Sequence, residues 1–187
     1  MSSTEYQVDR RELHFVVNET LQAGKLCEFP DFAEFDEEMF TMIINEASTF
    51  AEQVLAPLNV NGDRQGCRIE NGAVVTPDGF ADAWKQLGEG GWLSMSLPPE
   101  FGGQGIPELI AVIGKETQLA ANQGFTIGAS LTTGAANLIY TFGSDLQKNE
   151  FCQNMFSGKW AGTMCLTEPH AGSAVGDVIT SATKQEE

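Results

Sequence analysis

Lys159-Trp-Ala-Gly-Thr-Met-Cys-Leu-Thr-Glu-Pro-His-Ala-Gly-Ser173 is where the hydrophobic period of this chain changes. From Lys159 to Thr167, Trp160, Gly162, Met164 and Leu166 alternate with Ala161, Thr163, Cys165 and Thr167, the two-residue period of a strand. Glu168-Pro169 and Ala171-Gly172-Ser173 break the run, and Val175 to Ala182 reads as a second strand. Upstream, the long apolar patterns are helical. The chain therefore divides into a leading segment over 1–35, a helical domain over 36–157, and the opening of a β domain over 158–187. The fold class is mainly α.

Working back from Lys159, Ser144-x-x-Gln147 forms a capping box for a helix ending near Gly158. The segment from Phe125 to Phe142 is a helix rich in Ala, Gly and Thr, whose small residues let a neighbour or ligand approach the backbone. Pro107 suits a first helical position, with Leu109, Ile110, Ile113 and Leu119 as the stripe behind it. A Gly- and Pro-rich loop runs from Pro98 to Pro107. Pro77-Asp78-Gly79 leads into a short helix burying Phe80, Trp84 and Leu87 and stopping at Gly88. Asn71-Gly72, between Arg68-Ile-Glu70 and Ala73-Val-Val75, predicts a two-residue hairpin. The clearest stripe is Met39, Phe40, Ile43, Ile44, Ala47, Phe50, Ala51, Val54 and Leu55, capped by Asp36 and limited by Pro57. Glu38, Asn45 and Glu52 fall on its opposite, wetted face. Arg11 to Leu21 makes a short helix, broken by Glu28-Phe-Pro-Asp31.

Composition bounds the function. The 187 residues are 42% apolar and 19% charged, enough for one domain or one plus part of another. Acids outnumber bases 26 to 10, a net charge of −16. That balance opposes binding to nucleic acid or to an anionic membrane, which takes basic patches. Nine acids and no base lie between Leu26 and Asp63, a run read as a solvated helix face. The four cysteines (Cys27, Cys67, Cys152, Cys165) form no Cys-x-x-Cys pair, and two histidines leave no expected metal site. Met1-Ser-Ser-Thr-Glu-Tyr6 lacks the basic and apolar regions of a signal peptide, so a cytoplasmic protein with reduced thiols is expected. The uncharged stretch Thr117 to Ser144 has 13 apolar residues in 28, too few for a membrane span.

Nucleotide signatures fail. Gly88-Glu-Gly90 has Leu93 at the third glycine position, and Gly103-Gln-Gly105 has Glu108 there. What remains is the strand end at Thr167 and the loop after it, which offer hydroxyls and free amides. Such a loop serves either as an ordinary polar connection or as a seat for a flavin's polar edge or a phosphate.

The run Met164-Cys-Leu-Thr-Glu-Pro-His-Ala-Gly-Ser173 resembles the flavin-binding signature of the acyl-CoA dehydrogenases. Leu97-Pro-Pro-Glu-Phe-Gly-Gly-Gln-Gly-Ile-Pro107, preceded by Gly91-Trp92, is similar to that family's Gly-Gly loop between helices. The leading segment and Val75-Thr-Pro-Asp-Gly-Phe80 resemble the branch with an N-terminal extension. The resemblance covers essentially the whole chain.

It implies the N-terminal helical domain of such an enzyme followed by the first strands of its middle β domain, with FAD as cofactor. The implied reaction oxidises the α,β bond of an acyl-CoA, a glutamate base taking the α proton as hydride passes to flavin N5. Matched residue by residue, Met164, Cys165, Leu166 and Thr167 lie along the isoalloxazine. Gly172 and Ser173 meet flavin and pantetheine, Ser173 being the implied substrate contact. The helix near Gly124 to Gly134 falls where the acyl-chain pocket is partly built. Ala174 departs from the family's usual Asp. His170 is read as a loop residue, Trp160 as core, and Glu168 as something other than the base. The resemblance places the base, further flavin contacts and most of the oligomer interface in later regions, so no catalytic residue is expected within these 187. The chain is accordingly expected to be a truncated reading frame or a fragment, inactive alone. A non-catalytic helical binding or assembly module of the same ancestry is the alternative. Electron-transfer flavoprotein is the implied electron acceptor and homo-oligomers the implied assembly.

Overall fold

Asp36 sets the first long helix. Its extended backbone and its side chain, which accepts a hydrogen bond from the Met39 amide at 2.7 Å, start α2 (Glu37–Phe50) where the sequence predicts. In this computed structural model, which describes residues 6–185, the turn Ala51–Leu55 then widens into a π-turn, with the Ala56 amide donating to the Ala51 carbonyl. Helical backbone continues as α3 (Ala56–Gln65) straight past Pro57. The expected stop at Pro57 is thus overturned. Proline has no N–H and its ring crowds the carbonyl four residues back; a widened turn just ahead of it removes that conflict. Residues 1–5, which open the leading segment and supply most of the leader reading, and residues 186–187, at the chain's end, lie outside the described residues.

Ahead of α2, Arg10–His14 forms α1 and continues as a π-helical stretch to Thr20, matching the expected short helix closely. Short 3-10 turns at Ala23–Glu28 and Pro30–Phe32 follow. The Arg10 guanidinium pairs with Glu52 at 2.7 Å, and the Val8 amide donates to the same carboxylate at 2.8 Å. Glu52 is therefore half-buried under the leading segment, not on a wetted face.

The hairpin forms as its turn chemistry predicts. β1 (Arg68–Glu70) pairs antiparallel with β2 (Ala73–Val75), and Asn71 and Gly72 take φ of 51° and 80°. α4 (Phe80–Glu89) follows and buries Ala83 and Leu87. Gly88 lies inside this helix, one residue before its end; its role is contact, because a Cβ there would stand 2.3 Å from the Ser157 carbonyl oxygen.

α5 (Glu108–Ala121) packs along α2, burying Ile110 and Ile113 against Phe40 and Ile44. Leu119, expected on this stripe, is 37% exposed and turned away. α6 (Gln123–Phe142) starts at Asn122 and spans the expected helix. The Ser144 capping box opens α7 (Asp145–Gln147), which runs through a π-turn into α8 (Gln153–Phe156). Met155 and Phe156 close a further apolar cluster with Leu97, Ala136 and Cys152.

Beyond Gly158 the two expected strands, 159–167 and 175–182, form no ladder. The described residues there contain one isolated bridge, Glu168 to Ala171, and a 3-10 turn at Val175–Asp177. A strand takes its hydrogen bonds from a neighbour, and among the described residues this stretch has no strand alongside. Trp160 lies outside the core, 39% exposed and 5.8 Å from the Phe151 ring.

Candidate functional site

Asn122 organises the junction from which the candidate site is built. It is 2% exposed; its Oδ1 accepts from the Phe125 amide at 3.0 Å and its Nδ2 donates to the Leu55 carbonyl at 3.1 Å. One side chain thus caps α6 and ties it to the π-turn after α2. From this anchored start, α6 turns its small and hydroxylated residues toward α5 and the loop at Leu93. A cavity of about 240 Å³ lies there, lined by Gln118, Thr126, Ala129, Ser130, Thr133 and Gly134 among others.

The hydroxyl protons of this wall are spent locally. Thr126 donates to the Asn122 carbonyl, Ser130 to the Thr126 carbonyl and Thr133 to the Leu93 carbonyl. Gln118, only 5% exposed, keeps a buried Nε2 without a partner among the described residues. No motif pointed to Gln118, because its register on α5 becomes meaningful only when α6 packs beside it. The small-residue run from Gly124 to Gly134 was the one legible signal for this wall.

The segment after α8 lies across α6. Trp84 Nε1 donates to the Gly158 carbonyl at 2.7 Å, fixing the exit from α8. The Gly162 amide then donates to Thr132 Oγ1 at 3.1 Å. Gly162 is close-packed, since a Cβ there would come within 2.6 Å of Met155 Cε and 2.8 Å of Ala135 Cβ. Met164 reaches Gly134, which also lines the cavity, so the segment meets the cavity at that glycine.

Of the residues singled out in the sequence, Met164, Cys165, Leu166 and Thr167 follow one another as an exposed run, Met164 being 54% and Leu166 49% open. Gly172 and Ser173 are exposed beyond the next turn, and nothing lies within 4 Å of a Cβ placed on Gly172. Cys165 and the other three cysteines are free thiols. Glu168 is engaged rather than free: its carboxylate accepts from the Thr180 hydroxyl and from the amides of Ile179 (3.1 Å) and Thr180 (2.9 Å). These bonds, the Thr180 hydroxyl first, hold its carboxyl below the usual range. Among the described residues, no group of three or more His, Cys, Asp or Glu side chains is placed to hold a metal ion. No helix of the described chain is long and apolar enough to cross a membrane.

The described residues thus form packed helices, one of them rich in small residues, with an exposed segment laid across it. The family model for the acyl-CoA dehydrogenase N-terminal domain matches residues 37–159, and the chain belongs to the acyl-CoA dehydrogenase family. It is 34% identical, over 97% of its own length and 31% of the relative's, to 3-methylmercaptopropionyl-CoA dehydrogenase of Ruegeria pomeroyi. Its fold superposes on butyryl-CoA dehydrogenase of Megasphaera elsdenii with a TM-score of 0.60 at 25% identity, covering 73% of this chain and 34% of that one. A chain in the structure of the electron transferring flavoprotein of Acidaminococcus fermentans matches with a TM-score of 0.62 at 27% identity, covering 76% of this chain and 35% of that one. The chain spans about three-tenths of the length of the Ruegeria relative.

Proposed function

We propose that this chain supplies the N-terminal part of an FAD-dependent dehydrogenase that oxidises the α,β bond of an acyl-CoA thioester to the enoyl-CoA. Bound FAD supplies the hydride acceptor. The observation that carries the reading is the exposed run Met164–Thr167: its backbone belongs to no ladder, it presents a hydroxyl at Thr167, and its apolar Met164 and Leu166 flank it. Those groups suit a flat heteroaromatic ring with a hydrogen-bonding edge. In this reading Met164, Cys165, Leu166 and Thr167 line the isoalloxazine, and Gly172 and Ser173 contact flavin and pantetheine. Ser173 is then the substrate contact, and the α5–α6 cavity receives part of the acyl group.

The same reading divides the chain into an extension (1–35), a helical domain (36–157) and the first portion of a β domain (158–187). The resemblance assigns the glutamate base to a later region than the one matched, so no catalytic residue is assigned here. Electron-transfer flavoprotein as acceptor, a homo-oligomeric assembly and a cytoplasmic location complete the proposal.

For the 187-residue polypeptide by itself we expect weak or no FAD retention and no turnover. A flavin on an open run has one wall and stays wetted. Absorbance in the flavin bands after FAD addition and removal, with dye reduction by acyl-CoAs, tests this. Dye reduction by the polypeptide alone overturns the inactivity. The exposure of the whole run also favours the second reading, a non-catalytic binding or assembly module. Amide spectra separate the two: FAD-dependent shifts at Met164–Thr167, however weak, support the flavin seat, and none at millimolar FAD supports the module.

A further inference from the structure

The loop that carries Gly172 and Ser173 is closed at both ends on one residue. Through its main chain, Glu168 forms a two-way bridge with Ala171: the Glu168 amide donates to the Ala171 carbonyl at 3.0 Å, and the Ala171 amide returns to the Glu168 carbonyl at 3.1 Å. Ala171 is 1% exposed, so this first anchor is packed down. Through its side chain, Glu168 holds the returning limb at Ile179 and Thr180 by the three bonds described above. Gly172 to Val178 are thereby suspended between two anchor points that share a single residue. Within the span, 3-10 bonds from Asp177 to Ala174 and from Val178 to Val175 take up the slack. His170 Nε2 is 3.4 Å from the Glu168 carboxylate and 3.2 Å from the Asp177 carbonyl, bracing the same loop from within.

We propose that Glu168 is a positioning residue: it clasps the two limbs of the 168–180 loop and so fixes how Gly172 and Ser173 are presented. A carboxylate suits the task because it only accepts, and three donors from one limb converge on it. An amide in its place keeps one carbonyl acceptor, whereas alanine leaves three donors to water. The clasp itself stands apart from the function proposed above; only its bearing on flavin and substrate rests on that reading.

The test uses amide NMR spectra of the 187-residue chain between pH 7 and pH 3. We expect the Ile179 and Thr180 amides, and with them Gly172 and Ser173, to move with one shared midpoint below the ordinary carboxylate range. In Glu168→Gln that transition is absent. His170 and Asp177 are the other titratable groups of this loop; Asp177→Asn and His170→Asn therefore serve as controls that retain the shared transition, His170→Asn moving its midpoint upward because it removes the ring 3.4 Å from the Glu168 carboxylate. Amide exchange at Ile179 and Thr180 rises about tenfold in Glu168→Ala, the equivalent of about one net hydrogen bond, and Glu168→Gln recovers part of it. Gly172 and Ser173 signals that ignore both substitutions overturn the proposal, even where Ile179 and Thr180 respond. Adding FAD separates it from the functional reading. No FAD-dependent shift in any variant, with the shared midpoint intact, breaks the flavin seat and upholds the clasp. A Ser173 shift on FAD addition as large in Glu168→Ala as in the parent overturns the positioning role.

Discussion

The helical region from Glu37 to Phe156 and the segment after Gly158 contain side chains of similar kind in opposite circumstances. Phe40 and Ile44 are 1% exposed and Phe156 is 2% exposed, while Met164, Leu166 and Ile179 stand 54%, 49% and 75% open. The difference lies in the backbone. A helix satisfies its own amides and then needs only one apolar face to dock; a strand-patterned segment has both its amides and its second face waiting for a neighbour. Alternating apolar residues without that neighbour are an invitation to association, as with any unpaired edge.

The widest gap between the two regions is expected on truncation. Phe40→Ala, in the cluster between α2 and α5, costs about 3–5 kcal/mol in urea unfolding. Leu166→Ala, on the open segment, changes stability by less than about 0.5 kcal/mol. Equal losses at the two positions break the comparison, because they show the segment to be part of the cooperative core.

Asn122→Ala is next, at about 2–3 kcal/mol, since it removes an N-cap and leaves the buried Leu55 carbonyl without its donor. The effect should appear as a lower urea midpoint with an unchanged slope.

Gly162→Ala probes how the segment is held. The added methyl has to displace Met155 Cε, at 2.6 Å, and Ala135 Cβ, at 2.8 Å, an overpacking worth about 1–3 kcal/mol if both sides stay put. The helices are packed among one another whereas most of 159–167 is exposed, so relief comes by lifting off α6. Limited proteolysis within 159–167 should accelerate several-fold while the helical unfolding midpoint stays in place.

Those outcomes bear on what was legible beforehand. Asp36, the Asn71-Gly72 turn and the Ser144–Gln147 box act through neighbours three or fewer positions away, so their chemistry is written locally. The π-turn at Ala51–Leu55 was not legible: Pro57 announces a conflict, and whether the helix stops or widens depends on what packs around it. Asn122 was hidden for a related reason, because its second partner, Leu55, is 67 positions away. Along 159–167 the period is that of a strand, yet period describes side-chain faces and says nothing of a hydrogen-bonding partner. At the candidate site, Met164 to Ser173 stood out through resemblance, whereas Gln118 and the Glu168 clasp depend on placements that only the folded chain shows.

The smallest expected effect sharpens the comparison at its other end, where the leading segment is tied to the helical region. Arg10 holds the Glu52 carboxyl below its ordinary value, with the Val8 amide adding to the shift and desolvation opposing it. A carboxyl depressed in the folded state stabilises above its unfolded value, about 4.3, and loses that contribution as pH falls through the lower folded value. The side chains of Arg10 and Glu52 are 36% and 19% exposed, so solvent screening limits the pair to about 0.5–1 kcal/mol. Many other acids titrate over the same range, and the informative quantity is the stability difference between the parent and Glu52→Gln. That difference should be full at pH 7 and shrink toward pH 3. A constant difference from pH 7 to pH 3 would mean that Glu52 ties down the leading segment by shape and neutral hydrogen bonding, with its charge contributing nothing.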